Sequence, residues 1–185
     1  MRSLLFLACV AMMIPARAAT LSGCRCDKHL LPAPMKLVPG RKYARDRLVD
    51  IQHLALDVTP DFTKRSITGT AMLSFKPIAR PLPRLELDAV GLQIETVTAQ
   101  GAQIAAREVT EDKLVLTFAT PVPAGALVSV TTRYSVEPLH GLYFRTPEMG
   151  YKPGDTQLWT QGEAELHRHW FPSYDYPNER FTSEV

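Results

Sequence analysis

The stretch "VDIQHLALDVTPDFTKRSITGTAMLSFKPI", Val49 to Ile78, decides the fold. Its second half alternates between apolar and polar side chains, with Ile67, Ala71, Leu73 and Phe75 on one face and Thr68, Thr70, Ser74 and Lys76 on the other. An alternation with a period of two residues is the pattern of a half-buried β-strand. Gly69 interrupts the alternation and predicts a bulge. The first half, "VDIQHLALDV", predicts a preceding strand that ends at the turn "TPDFTKR".

Further short strands follow along the chain. The runs that predict them are "RLELDAV" (84–90), "LQIETVTAQG" (92–101), "KLVLTF" (113–118) and "LVSVTTRYSV" (127–136). They recur about every ten residues, between turns rich in proline and glycine, and no amphipathic helix separates them. The sequence therefore predicts an all-β fold, an antiparallel sandwich or a saddle-like sheet.

The N-terminal segment has the pattern of a signal peptide. Arg2 precedes an apolar run from Leu4 to Ile14, and the small residues "ARA" at 16–18 follow. The run is too short to span a bilayer, and the small residues suit a cleavage site. We expect residues 1–18 to be a signal peptide and the protein to be exported, either to a periplasm or by secretion.

A lipid anchor is the alternative to simple export. The residues "LSGC", Leu21 to Cys24, resemble a lipobox, in which the cysteine is lipidated. Arg17 and Thr20 separate this box from the apolar run, whereas a lipobox normally closes such a run directly. Simple secretion is therefore the favoured interpretation, and an anchor at Cys24 stays open.

Residues 19–45 contain several prolines and scattered basic residues and predict an arm or linker. Cys24 and Cys26 lie in this arm, where a disulfide across a single residue would be strained. The sequence offers no further cysteine for a zinc-type set, so these thiols have no predicted structural role.

The charge of the chain argues against nucleic acid as a partner. The formal net charge is +2, and removal of the predicted signal peptide leaves 19 basic and 19 acidic residues. A chain with balanced charge lacks the excess of basic residues that would bind nucleic acid or an anionic membrane.

The closing segment "QLWTQGEAELHRHWFPSYDYPNERFTSEV", Gln157 to Val185, concentrates histidines, acids and aromatic rings. On a strand, His167 and His169 would place both rings on one face and could suit a metal. No carboxylate or thiol ligand is evident nearby, so packing and hydrogen bonding of the rings are favoured.

Aromatic and turn residues in this segment admit two interpretations. The aromatic residues are Trp159, Trp170, Phe171 and Tyr174. They could form a platform on which sugars stack, but core packing and loop bracing are the favoured interpretation. Asp175 precedes the turn residues Pro177 and Asn178 and is predicted to form a turn rather than to act as a catalytic acid.

These residues carry a resemblance to a known family. The strands from Val49 to Ile78 with "PLPRLELDAVGLQI" resemble the opening β-domain of the M1 zinc aminopeptidases. The closing segment resembles the family signature T-Q-x-E, then Arg or His before F-P, then D-x-P. The resemblance spans residues 46–185, predicted to be an M1-like N-terminal β-domain that is incomplete at its C-terminus. Ser173 and Tyr176 depart from the pattern, since relatives often carry Cys and an acid there.

The resemblance implies a role for two residues. Glu163 would be one of the carboxylates that hold the free α-ammonium of a peptide substrate, and Gln161 would line the pocket for the first side chain. A fixed anion facing a terminal ammonium lets an exopeptidase measure one residue from a chain end. Without the resemblance, Glu163 is more simply a solvated residue or a structural ion-pair partner.

The sequence contains no H-E-x-x-H motif, which the family needs in order to bind zinc. No catalytic residue and no metal ligand are therefore assigned in this chain, and zinc is implied only for the full-length family enzyme. The expected function is the positioning of peptide N-termini for a catalytic domain of the same family. The alternatives are a stand-alone exported binding or scaffold module and a carbohydrate-binding sandwich.

Overall fold

Ten β-strands and three 3-10 helices form the part of the chain that this computed structural model describes, residues 46–185. The predicted signal peptide and arm lie outside the described residues. The strands are β1 (Val49–Asp61), β2 (Ser66–Pro77), β3 (Leu82–Asp88), β4 (Gln93–Gln100), β5 (Ile104–Val109), β6 (Lys113–Val122), β7 (Val128–Val136), β8 (Leu142–Arg145), β9 (Gln157–Thr160) and β10 (Thr182–Glu184). The 3-10 helices are Pro147–Met149, Pro153–Asp155 and His167–His169.

The strands form three sheets. A five-stranded sheet has the order β10-β1-β2-β7-β4, a three-stranded sheet has the order β3-β6-β5, and β8 pairs with β9. The strand pairs are antiparallel except for β10, which adds to β1 in parallel. The predicted all-β fold is confirmed. Among residues 46–185, no helix has the length and apolar character needed to cross a bilayer.

The apolar faces of the two larger sheets share one core. Phe75 of β2 is fully buried, and its ring lies 6.5 Å from that of Phe118 of β6, centroid to centroid. Leu54 of β1 pairs with Leu73 of β2, and both are buried. Burying apolar side chains of this size contributes about 1.5–3 kcal/mol each. The alternation seen in the sequence therefore corresponds to the face that each strand turns inward.

The bulge predicted at Gly69 is wrong. Gly69 pairs in regular register with Val58 and Tyr134, and the irregularity of β1 lies instead between Ile51 and His53. A Cβ at position 69 would lie 2.9 Å from Val58 Cγ1 and 3.1 Å from the Tyr134 hydroxyl oxygen. Glycine is therefore required because two neighbouring strands bring large side chains over its Cα, not because the ladder breaks.

Gly69→Ala is expected to lower the free energy of unfolding by about 1–3 kcal/mol, as overpacking does where neighbouring atoms leave no room for an added methyl group. The reason is that Val58 Cγ1 and the carbonyl oxygen of Asp57, 3.0 Å from the added Cβ, must both move. Urea denaturation measures the loss. Thr68→Ala, an exposed neighbour on β2, is the control and should change stability by no more than about 0.5 kcal/mol. Equal losses in the two variants would contradict the prediction.

Candidate functional site

The residues predicted to meet a peptide lie in one exposed loop after β9. The Gln161 N–H donates to the Gly141 carbonyl at 2.9 Å and extends the β8–β9 ladder by one residue. The Leu166 N–H then donates to the Gly162 carbonyl at 2.9 Å and closes a turn. Gln161 and Glu163 are both exposed, and the Glu163–Ala164 peptide bond is cis. The loop thus presents an amide and a carboxylate to solvent while its two ends are tied down.

A buried ion pair lies behind this loop. The Asp175 side chain is only 4% exposed, and its Oδ2 accepts hydrogen bonds from both the backbone N–H and the Nε of Arg168, each at 3.1 Å. Nη2 of Arg168 donates to the Asp175 carbonyl at 3.0 Å and to Glu165 Oε2 at 2.9 Å. Arg168 and Asp175 therefore link the backbone before and after the segment of residues 171–174.

The ion pair is joined to the three-stranded sheet through Asp88, the last residue of β3. Asp88 and Ser173 exchange two backbone hydrogen bonds, at 2.7 and 3.0 Å. The Asp88 carboxylate accepts from the Asp175 N–H at 3.3 Å and from Lys113 Nζ at 3.3 Å, and it lies 3.9 Å from Arg168 Nη1. The two buried carboxylates thus share Arg168, and Asp88 is also paired with Lys113, so the pairing offsets most of the cost of their burial.

The pKa shifts follow from this pairing. Burial alone would raise the pKa of Asp175, but hydrogen bonds from His167 and Arg168 and the charge of Arg168 outweigh it and hold the pKa below its usual value. Burial likewise opposes the charge of Arg168, and attraction to Asp88 and Asp175 outweighs it and raises the pKa of the guanidinium. Both groups therefore stay charged at neutral pH.

A second buried pair fixes the chain after the site. The Glu179 side chain is fully buried and receives Nε and Nη2 of Arg47 at 2.7 Å each, as well as the Ile51 N–H at 3.1 Å. The hydrogen bonds that Arg47 donates to Glu179 are the main cause that raises the pKa of Arg47. Through these hydrogen bonds Glu179 attaches the chain to β1, a few residues before β10 pairs with the same strand.

His167 and His169 do not lie on a strand, the arrangement that would have placed both rings on one face. Both lie in a 3-10 helix, where residues two apart face different sides. The His167 ring faces Asp175 and Phe171, whereas the His169 ring packs edge-on against His140, with centroids 4.9 Å apart. A carboxylate does stand beside His167, contrary to expectation. The donors nevertheless do not fit zinc, because the two rings diverge and no group of three metal-binding side chains occurs among residues 46–185.

The aromatic residues are core residues with one exception. Trp170, Phe171 and Tyr174 are buried, which confirms the packing interpretation, whereas Trp159 is 46% exposed and stacks on Tyr143. With three of the four rings buried, these residues form no sugar platform. Asp175 was predicted to form a turn and is instead the buried partner of Arg168, while the predicted turn does occur at residues 177–178.

An apolar cleft of about 450 Å³ adjoins the loop. Ala164 and His167 line its loop side, and Leu54 and Leu56 of β1 line its floor. Glu163 precedes Ala164 in the sequence but does not itself line the cleft. The loop that carries Glu163 thus borders an apolar cleft, an arrangement that suits a ligand with a cationic group and an apolar side chain.

Comparison with known proteins identifies the family. The family model of the peptidase M1 N-terminal domain matches residues 50–185. The chain belongs to this family. The resemblance to M1 peptidases inferred from the sequence is confirmed, and residues 50–185 form an M1 N-terminal domain. A search of curated proteins finds no match.

Solved structures of M1 enzymes share the fold of this domain. An M1 zinc metallopeptidase from Deinococcus radiodurans, in a mutant form bound to a Tyr-Ser-Ala substrate, is 22% identical with a TM-score of 0.59 over 74% of this chain and 32% of its own. A two-domain M1 zinc metallopeptidase mutant bound to L-arginine is 21% identical with a TM-score of 0.59, over 75% and 32%. Yeast LTA4 hydrolase in complex with bestatin is 22% identical with a TM-score of 0.60, over 78% and 25%. The M1 N-terminal domain described here thus spans a quarter to a third of the length of these enzymes.

Stability of the M1 N-terminal domain is expected to fall between about pH 6.5 and pH 4. Burial, with help from His140 and Arg168, lowers the pKa of His169 from 6.5 to about 4. The unfolded chain binds a proton in this window that the folded one does not, so stability is lost as the pH falls. Unfolding free energies measured in urea across this range provide the test.

The matched variant for this test is His169→Gln, which removes the titrating group. Its stability should fall less steeply than that of the wild type over the same window, where one such group contributes a slope of at most about 1.4 kcal/mol per pH unit. Parallel profiles would show that the folded and unfolded states bind the proton of His169 equally well.

Proposed function

We propose that this domain positions the N-terminus of a peptide substrate for an exported M1 zinc aminopeptidase and is not catalytic by itself. In this proposal Glu163 binds the substrate α-ammonium and Gln161 lines the pocket for the first side chain. One observation carries the assignment of Glu163. It is exposed and has no ion-pair partner among the described residues, whereas Glu165, two residues on, is bound to Arg168 at 2.9 Å.

The surroundings of Glu163 support the same role. The backbone of its loop is tied to β8 and to its own turn by hydrogen bonds, so the carboxylate is presented from a fixed base. A group held in place before binding loses little entropy when the ligand arrives. The apolar cleft beside the loop provides room for an uncharged side chain of the ligand.

The ligands of the related enzymes agree in chemistry with this proposal. The Tyr-Ser-Ala peptide and L-arginine, bound to the M1 metallopeptidases, both have a free α-amine. An ammonium bound by one carboxylate in open solvent gains only about 0.2–1 kcal/mol. A second domain that covers the site would desolvate the pair, and losing one partner of a desolvated pair costs about 2–5 kcal/mol.

Hydrolysis requires groups that we assign to a separate catalytic domain of the same family. A zinc ion there would polarise the first peptide carbonyl and lower the pKa of the attacking water. The contribution of this chain is to bind the amine, to orient the first residue and to limit access to the end of a peptide. The signal-peptide pattern of residues 1–18 supports export, with lipidation of Cys24 as the alternative.

A stand-alone exported binding module is the second candidate. The observation that favours it is closure of the described domain. Glu179 and β10 both attach to β1, so this edge of the larger sheet is covered by the chain itself. A soluble protein with a single cooperative unfolding transition would favour this module. Aggregation through exposed sheet edges would favour a domain that needs its partner.

Glu163→Gln is expected to weaken the binding of a free-amine tripeptide by about twofold to fivefold, the size of an exposed ion pair. The measurement is an NMR titration of the whole chain with Tyr-Ser-Ala and with its N-acetylated form at low salt. Wild type should prefer the free amine, and the preference should weaken as salt screens the charges.

Glu165→Gln is the matched control, because Arg168 already neutralises this acid. It should keep the preference of the wild type for the free amine. Equal binding of the free and acetylated peptides by wild type would overturn the proposed function. Chelator-sensitive release of the first residue by this chain alone would overturn the claim that it is not catalytic.

A further inference from the structure

Gly162, between the two predicted substrate residues, is covered by the ring of His167. A Cβ built on Gly162 would lie 2.0 Å from Nε2 of His167 and 2.2 Å from its Cε1. These distances are far below any contact that carbon atoms make, so the imidazole occupies the space of a side chain at position 162. The ring therefore sets how close this part of the loop can approach the 3-10 helix.

His167 is itself held from several directions. Its Nδ1 lies 3.3 Å from Oδ1 of Asp175, the carboxylate that Arg168 fixes. Its carbonyl accepts the N–H groups of Trp170 and Phe171 at 3.0 and 3.1 Å, and its ring lies 5.5 Å from that of Phe171. The ring is thus connected to the buried ion pair on one side and to the substrate loop on the other.

We infer that His167 is a positioning residue for Glu163. By packing on Gly162 and bonding to Asp175, it transmits the fixed position of the ion pair to the loop of residues 161–163. This inference rests on the proposed function, in which the Glu163 carboxylate receives the peptide ammonium. Displacement of a binding group by about an ångström is enough to lose much of its effect.

His167 is not a core residue. The His167 side chain is 47% exposed, whereas Asp175, its partner, is 4% exposed. Truncating a half-exposed ring removes little buried apolar surface, so the fold should survive the loss of His167. The effect of the substitution should therefore appear in the loop and in amine recognition more than in global stability.

The test combines His167→Ala, Gly162→Ala and the double variant in the full chain. The loop is followed by NMR, through the contact of the His167 ring protons with the Gly162 α-protons and through the amide shifts of residues 161–163. Amine recognition is followed as the ratio of affinities for Tyr-Ser-Ala and its N-acetylated form. His53→Ala is the matched control, because His53 is also partly exposed and hydrogen-bonded, to Thr182 on β10.

Each single variant is expected to shift the loop amides and to reduce the twofold to fivefold preference for the free amine to about one. The double variant should be no worse than His167→Ala, because the added methyl group no longer meets a ring. His167→Asn retains a partner for Asp175 but does not reach Gly162, and should behave like His167→Ala. His53→Ala should leave both measurements unchanged.

The two hypotheses fail in different ways. If wild type prefers the free amine and His167→Ala retains both that preference and the loop shifts, the inference is wrong and the proposed function stands. Independent, additive effects of the two substitutions, or wild-type behaviour of His167→Asn, would also overturn it. If wild type shows no preference, the proposed function and the role of His167 in recognition both fail, while the loop shifts still decide whether the ring holds Gly162.

Discussion

The ion pair between Arg168 and Asp175 is the interaction on which the rest of this domain depends. It is buried among aromatic residues, where an unpaired charge would cost several kcal/mol. Arg168 also offsets the repulsion between Asp175 and Asp88, because its guanidinium lies 3.1 Å from the Asp175 carboxylate and 3.9 Å from that of Asp88. Without the guanidinium, two buried carboxylates would remain close together and the segment that follows β9 could not stay on the sandwich.

This arrangement separates the acids near the loop by function. Three acids have a structural role, because each is paired with Arg168: Glu165, Asp175 and Asp88. Glu163 has no ion-pair partner among residues 46–185 and is the acid that we propose binds a ligand, on a loop whose backbone is held at both ends. A carboxylate kept free beside paired ones is what an amine-binding site requires, because an internal cation would compete with the ligand.

The alternation of apolar and polar residues predicted those strands whose own sequence determines which face is buried. The main strands were evident because one face of each is buried, whereas β5, β8, β9 and β10 were not predicted. Nearly all residues of β5, β9 and β10 are exposed, and β8 is only four residues long. The packing predicted for the histidine rings is confirmed, whereas the role of Asp175 was missed. Asp175 bonds to a residue seven positions before it and to one 87 positions before it, and no local pattern carries such a contact. The exposed loop of Gln161 and Glu163 came from the family signature rather than from the pattern of residues.

A double-mutant cycle between Arg168 and Asp175, read as the free energy of unfolding in urea, tests this account most directly. The variants are Arg168→Gln, Asp175→Asn and their combination. Each single change is expected to cost about 3–5 kcal/mol, because it leaves a buried charge without its partner. The double variant should cost little more than either single change, which corresponds to a coupling of about 3 kcal/mol. Additive losses would contradict the account, since they would mean that the two residues stabilise the domain independently.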